Sequence, residues 1–280
     1  MNRPTASFAM LSLLCMMLWS SEAFPQQSGT MAQPSHLSEA SSYIGRSLRG
    51  PDGKNLGRIS DLVIDRANKR VLLAVLSDVP GLETKVVAIP FASLTSTGKR
   101  LSITSYGLNE VWLRILNASM YLHELKRDLS LVGLPSTIDP EWVYQIYLRY
   151  DRVPYWKEAG ANEKPLSEKE IVSLNGLMRS IARLSQGKME TRISDLIIDP
   201  SDGRVAFMIL SHVSEPVDTK VAVPFGSLAM KDNHAFTINL TDHMLAEAPV
   251  FGDRDKIDLK WASNVYKYFG VQPYWTEEEQ

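Results

Sequence analysis

Two carboxylate pairs recur at one spacing: Asp61 with Asp65, and Asp195 with Asp199. Paired carboxylates serve as the acid and the base or nucleophile of glycoside hydrolysis, where they stand roughly 5–10 Å apart. Here each pair sits in an apolar, β-branched run, RISDLVID from Arg58 to Asp65 and RISDLIID from Arg192 to Asp199. Along a strand, residues four apart share a face but lie about 13 Å from one another, too far for that chemistry. Turn chemistry fits better. Asp65 and Asp199 precede the breaks at Arg66 to Lys69 and Pro200 to Gly203, where an Asp side chain accepts from backbone N–H groups. Asp61 and Asp195 are then expected to hold a loop. The stretch from Asp199 to Asp202 lacks the ligand spacing of a calcium loop.

The other reactive residue types do not converge. The five histidines, His36, His123, His212, His234 and His243, show no HExxH-like metal spacing. His243 beside Asp242 is a general-base candidate, and Ser60 and Ser194 have no neighbouring base. No GxSxG, Walker or Rossmann pattern occurs. Cys15 is the sole cysteine and falls in the leader described below, so the remaining chain has no disulfide, thiolate nucleophile or cysteine ligand. The sequence predicts no catalytic residue, no metal site and no cofactor.

Aromatic residues are more suggestive. Pro154-Tyr155-Trp156 and Pro273-Tyr274-Trp275 place large side chains after a helix, beside a linker or chain end. Tyr and Trp dominate interface hot spots, which makes Tyr155, Trp156, Tyr274 and Trp275 the candidate partner-binding residues. The competing reading is that they fold back over their own domain, since aromatics also dominate core energetics.

These residues belong to an internal repeat. Between Arg58–Val79 and Arg192–Val213, 12 of 22 positions are identical without a gap, at an offset of 134. PFASL at 90–94 returns as PFGSL at 224–228, and Trp142, Tyr147 and the Pro-Tyr-Trp tail return from Trp261 onward at an offset of 119. The first copy therefore carries an insert, placed around Asn109 to Leu134. Each copy reads as short strands followed by a helix. Gly50-Pro51-Asp52-Gly53 and Pro200-Ser201-Asp202-Gly203 are turn signals, and Pro90 and Pro224 end strands. Asp139 can cap a helix whose Trp142, Ile146 and Tyr150 share a face, and its partner near Ile257 to Phe269 stops at Gly270. Ser167 with Glu170 makes a capping-box pattern.

The expected organisation is a signal peptide over 1–23 and a disordered Gln-, Ser- and Pro-rich segment over 24–41. A first unit over 42–156, a linker over 157–174 and a second unit over 175–280 follow. The leader has Arg3, an apolar run from Phe8 to Trp19, and small residues at Ser21 and Ala23 before a cleavage point at Phe24. The run is shorter than the roughly 20 residues of a spanning helix. This predicts a periplasmic or secreted protein that does not span the membrane after cleavage.

The repeat resembles the PRC-barrel domain, a family named from the H subunit of the photosynthetic reaction centre. The resemblance rests on Gly57 to Asp65, Arg70-Val71 with the apolar strand to Ser77, and Val87-Ala88-Ile89-Pro90-Phe91. The second copy matches at Arg192 to Asp199, Gly203-Arg204-Val205 and Val221 to Leu228, with Thr191 where the pattern has Gly. The resemblance implies a prokaryotic source and a small six-stranded barrel used for protein docking and assembly, with no reaction attached. The fold expected is mainly β with peripheral helices: two tandem small barrels, each followed by an amphipathic helix.

The chain has 280 residues, 30 Lys plus Arg against 32 Asp plus Glu, and a formal net charge of -2. Nucleic-acid binders carry a positive excess because phosphate neutralisation supplies much of their affinity, so nucleic acid is excluded as a partner. The function expected is a non-catalytic binding or scaffold protein that docks a protein partner. One alternative is a hydrolase or other enzyme with a site between the units, gathering His212 or His243 with acids. Another is peripheral membrane association through the leader or the Trp tails.

Overall fold

The computed structural model describes residues 34, 36–81, 86–97, 100–103, 130–131, 134–135, 137–158, 163–178, 180–211, 219–231, 235–252 and 257–276. The expected signal peptide and most of the insert lie outside these residues.

After β1 (Ser38–Glu39), the first unit contains β2 (Ser47–Arg49), β3 (Asn55–Asp65), β4 (Arg70–Ser77), β5 (Val86–Pro90), β6 (Leu94–Thr97), β7 (Arg100–Ile103) and β8 (Ser130–Leu131), then helix α1 (Pro140–Arg149). The chain continues through β9 (Ile171–Ser173) and α2 (Leu174–Met178). The second unit has β10 (Ile181–Gln186), β11 (Glu190–Ile198), β12 (Val205–Ser211), β13 (Val221–Pro224), β14 (Leu228–Lys231), β15 (Ala235–Thr241), α3 (Asp242–Ala246) and α4 (Leu259–Tyr268). The strand order is the same in both sheets, β6-β7-β2-β3-β4-β5 and β14-β15-β10-β11-β12-β13, with β8 added beyond β5. The pairs β2–β7 and β10–β15 are parallel and the rest of each path is antiparallel. The protein is mainly β, with two six-stranded barrel-like units and helices at their periphery. Apolar side chains of both units form one continuous core.

Each sheet also takes a strand from outside its own unit. β1 pairs with β11, Ser38 opposite Ile198 and Glu39 opposite Ile197. β9, the lead-in to the second unit, pairs with β3, Val172 opposite Ile64 and Ser173 opposite Val63. These registers superimpose at the 134-residue offset, so each repeat's leading segment lies on the other repeat's sheet. This corrects two expectations. The segment thought disordered as far as residue 41 is docked from Leu37 onward, with Leu37, Ala40 and Tyr43 buried. The linker expected over 157–174 ends in a paired strand. The capping box read at Ser167 is not formed: a single 3-10 turn spans Glu168–Glu170 and the Ser167 side chain makes no cap bond.

The repeated sequence builds the same two bulges in each long hairpin. Between β3 and β4 the register skips Ser60 and Leu72; between β11 and β12 it skips Ser194 and Ala206. A bulge leaves the extra residue out of the ladder, and its polar groups need partners. The hydroxyls of Ser60 and Ser194 donate back across the hairpin to Val75 O (3.2 Å) and Ile209 O (3.1 Å). The carbonyls of Leu72 and Ala206 accept from the hydroxyls of Tyr147 on α1 (3.0 Å) and Tyr266 on α4 (3.3 Å). Asp139 and Asp258 cap these helices, accepting from Glu141 N (2.8 Å) and Trp261 N (2.7 Å). Trp142, Ile146 and Tyr150 are all buried, as the helical spacing predicts.

Gly57 has φ +137°, and a Cβ there would meet Ser77 O at 2.7 Å. Its counterpart Thr191 is a buried strand residue, so the two copies enter their long strands differently.

Replacing Tyr147 or Tyr266 with Phe leaves a bulge carbonyl without its hydroxyl. Each variant is expected to lose about 1–2 kcal/mol of stability with an unchanged far-UV spectrum, measured by denaturant unfolding.

Candidate functional site

Among the described residues, most buried polar side chains lie at the seam between the two repeats, and the four repeated aspartates build much of it. Asp61 and Asp195 are 8% and 7% exposed. Each follows a bulge serine, and each receives the other repeat's leading segment. Asp61 Oδ1 accepts from the backbone N–H of Leu62 (2.8 Å) and of Asn175 (3.1 Å). Asp195 Oδ1 accepts from Leu196 N (2.7 Å) and Ser41 N (3.0 Å), and its Oδ2 takes the Ser41 hydroxyl. Ser41 and Asn175 are equivalent at the 134-residue offset. The expected loop-holding role is therefore what these carboxylates have, with the loop supplied by the opposite repeat. Burial raises the pKa of both above the usual carboxylate range, and the amide and hydroxyl donors pull it partly back.

Asp65 and Asp199 end the same strands and organise the hairpin turns, as read from sequence. Asp65 accepts from Asn68 N (3.2 Å) and Asn68 Nδ2 (2.6 Å); Asp199 accepts from Ser201 N (2.9 Å) and the Ser201 hydroxyl (2.6 Å). Each also accepts from a phenol of its own tail, Tyr155 at 2.6 Å and Tyr274 at 2.8 Å. Burial, and then the adjacent carboxylate, push both phenols well above their ordinary pKa, so they remain donors. Trp156 packs edge-on against Tyr147 at 5.1 Å and Trp275 against Tyr266 at 5.6 Å. Arg70 lies over the Tyr155 ring and Arg204 over the Tyr274 ring, at 4.9 and 5.4 Å.

The four aromatic residues singled out as candidate partner anchors fold back against their own units. Tyr274 and Trp275 are 9% and 7% exposed, while Tyr155 and Trp156 are half-buried against the core. The physical reason is the aspartate beneath each tyrosine, whose turn comes more than 70 residues earlier in the chain.

The hairpin tips meet at a local two-fold relation. Val71 N donates to Gly203 O and Val205 N to Lys69 O, both at 2.8 Å, and these four positions exchange at the repeat offset. Around the tips, Arg70 Nη1 donates to Asp202 O (3.0 Å), and Asp202 Oδ2 faces Arg204 at 3.1 Å. The connecting segment is clamped to the first tip as well. Asn68 exchanges two 2.8 Å bonds with the Lys164 backbone, and Arg66 pairs with Glu170 at 2.8 Å.

A cleft of about 600 Å³ opens beside this seam, lined by Asp61, Ile138, Glu168, Lys169, Leu177 and Phe236 among others. Phe236 belongs to the second unit and most of the lining to the first unit and the connecting segment. His243 is on the surface facing Glu247 at 3.3 Å and does not line the cleft. His123, His212 and His234 lie outside the described residues. Among the described residues, no three His, Cys, Asp or Glu side chains gather in a way that could hold a metal. Among them, too, no helix is long and apolar enough to cross a membrane.

The strands β1 to β7 fall within the span that the family comparison matches. Residues 36–108 match the family model of the PRC-barrel domain. A PRC-barrel domain is present over this span. The matched span of this PRC-barrel includes Ser38 to Tyr43, the segment that docks on the second sheet. The second repeat has the same strand order and the same bulges as the PRC-barrel before it. No curated protein matches the chain.

Asp195→Ala, which removes three bonds, is expected to destabilise the protein by about 2–3 kcal/mol; Asp195→Asn keeps an acceptor and loses less. Because native Asp195 binds its proton more tightly than the unfolded chain does, its contribution is full below the usual carboxylate range. That contribution is lost as pH rises through the raised native value. Wild type should therefore gain stability relative to Asp195→Asn as pH is lowered from 7 to 4, read from denaturant midpoints. A constant gap would show a carboxyl of ordinary acidity.

Proposed function

We propose that the chain is an exported, non-catalytic docking protein whose paired PRC-barrel units present one composite surface to a protein partner. The observation that carries this reading is the fate of the duplicated polar residues. Asp61, Asp65, Tyr155 and Arg70, with their second copies, are all engaged in internal hydrogen bonds, ring contacts or ion pairs. A catalytic group kept through duplication would be expected to be free to meet a substrate, and these carry bonds within the protein's own seam, although Asp61 also lines the cleft. Export rests on the leader from Arg3 to Ala23, and a PRC-barrel is compatible with a scaffold role.

Tagged protein expressed in its native host and recovered from the envelope fraction tests both parts. The expected result is a mature N-terminus at Phe24 and a protein that co-purifies in stoichiometric amount through a salt wash, identified by mass spectrometry. Cytosolic recovery with an intact N-terminus would overturn export. Recovery of the chain alone would overturn docking.

A further inference from the structure

The repeats are closely equivalent along the seam, so a place where equivalence fails is informative. At Asp195 the leading segment brings a serine whose hydroxyl caps the second carboxylate oxygen, and the charge of Lys220 acts on the same group. At Asp61 the equivalent residue is Asn175, whose side-chain amide donates to Ser60 O at 3.0 Å and also acts on the carboxyl. Both backbone donors to Asp61 fall on Oδ1, and the groups acting on this carboxyl are the amides and hydroxyl of Leu62, Asn175 and Ser173. Lys220 acts on Asp195, while the backbone hydrogen bonds to Asp61 come from uncharged amides.

Asp61 also lines the cleft of about 600 Å³, within the range of ligand sites. Ile138, Leu177 and Phe236 give it apolar walls, while Glu168 and Lys169 are its other charged residues. Among the described residues of the lining, two acids stand against one base. A buried carboxylate beside apolar walls suits a ligand with an aliphatic body and a cationic head, because a charge-assisted bond is strongest where water is excluded.

We propose that this cleft binds an ammonium or guanidinium group on an aliphatic stem, the side chain of a lysine or arginine presented by the partner polypeptide. The proposal rests on the docking reading and gives it a specific contact. Ile138 and Leu177 flank the stem, Asp61 receives the cationic head, and Glu168 adds long-range attraction.

The test is an NMR titration of the mature chain with N-acetyl-lysine N-methylamide, against the norleucine analogue, which keeps the stem and lacks the charge. The lysine probe is expected to produce saturable shifts at Asn175 and Gly176, with the norleucine compound at least about tenfold weaker. Asp61→Asn, which keeps the Oδ1 acceptor, should weaken the lysine probe by about tenfold or more. Glu168→Gln, an exposed change that leaves the fold alone, should weaken it by about two- to fivefold. Equal binding of the two probes, or binding indifferent to both substitutions, would overturn the proposal. A captured partner whose affinity ignores Asp61→Asn would overturn this contact and leave docking standing. Asp61-dependent lysine binding with no captured partner would support the cation site, assign it to a free amine, and overturn docking.

Discussion

Each repeat begins by lying on the other, and a buried carboxylate holds it there. Asp61 grips the backbone at Asn175 and Asp195 grips it at Ser41, while two short strands pair across the seam in matching registers. The remaining architecture follows from this exchange. The hairpin tips can meet through Lys69 and Gly203 because the crossing segments bring the two long hairpins together. The shared core can be continuous because neither unit ends where its own sheet ends. The arrangement has the form of a two-fold dimer interface, in which one patch meets its own copy, written into one polypeptide.

Burying four aspartates is unfavourable unless each finds donors, and the bulges are what make donors available. Skipping Ser60 and Ser194 shifts the strand's alternation by one, so the following aspartate turns toward the incoming segment. Skipping Leu72 and Ala206 frees carbonyls that would otherwise bond across the hairpin. Tyrosines on the tail helices take them, which ties each helix to its barrel. The second tyrosine of each tail then reaches the turn aspartate. A single element, the helix with its Pro-Tyr-Trp end, thus closes two defects that the strands create.

Much of this was legible in the residues. The repeat, the strand and turn positions, the tail helices and the turn role of Asp65 and Asp199 rest on local signals of periodicity and turn chemistry, and they stand. The exchange was not legible. Ser38–Glu39 is too short to show alternation, its surroundings read as polar, and its partner strand lies some 160 residues away. The aromatic tails were open to two readings for a related reason. Large aromatic side chains near a chain end look free when the aspartate that captures their hydroxyls is remote in sequence. The cleft beside Asp61 could not be read either, since Phe236 and the segment before α1 converge only in the fold.

Joining the two halves of such an interface in one chain removes a restriction that symmetry imposes. In a dimer of identical subunits, every substitution at the seam appears twice, so the two grips must stay alike. Here each half can drift by itself. Gly57 faces the hairpin where Thr191 stands in the other copy, Lys69 takes a left-handed conformation that Gly203 adopts freely, and Ser41 has Asn175 as its counterpart. One grip can remain a fastening while its twin is released for another task. The second copy of the barrel is in this sense a licence for the first to specialise.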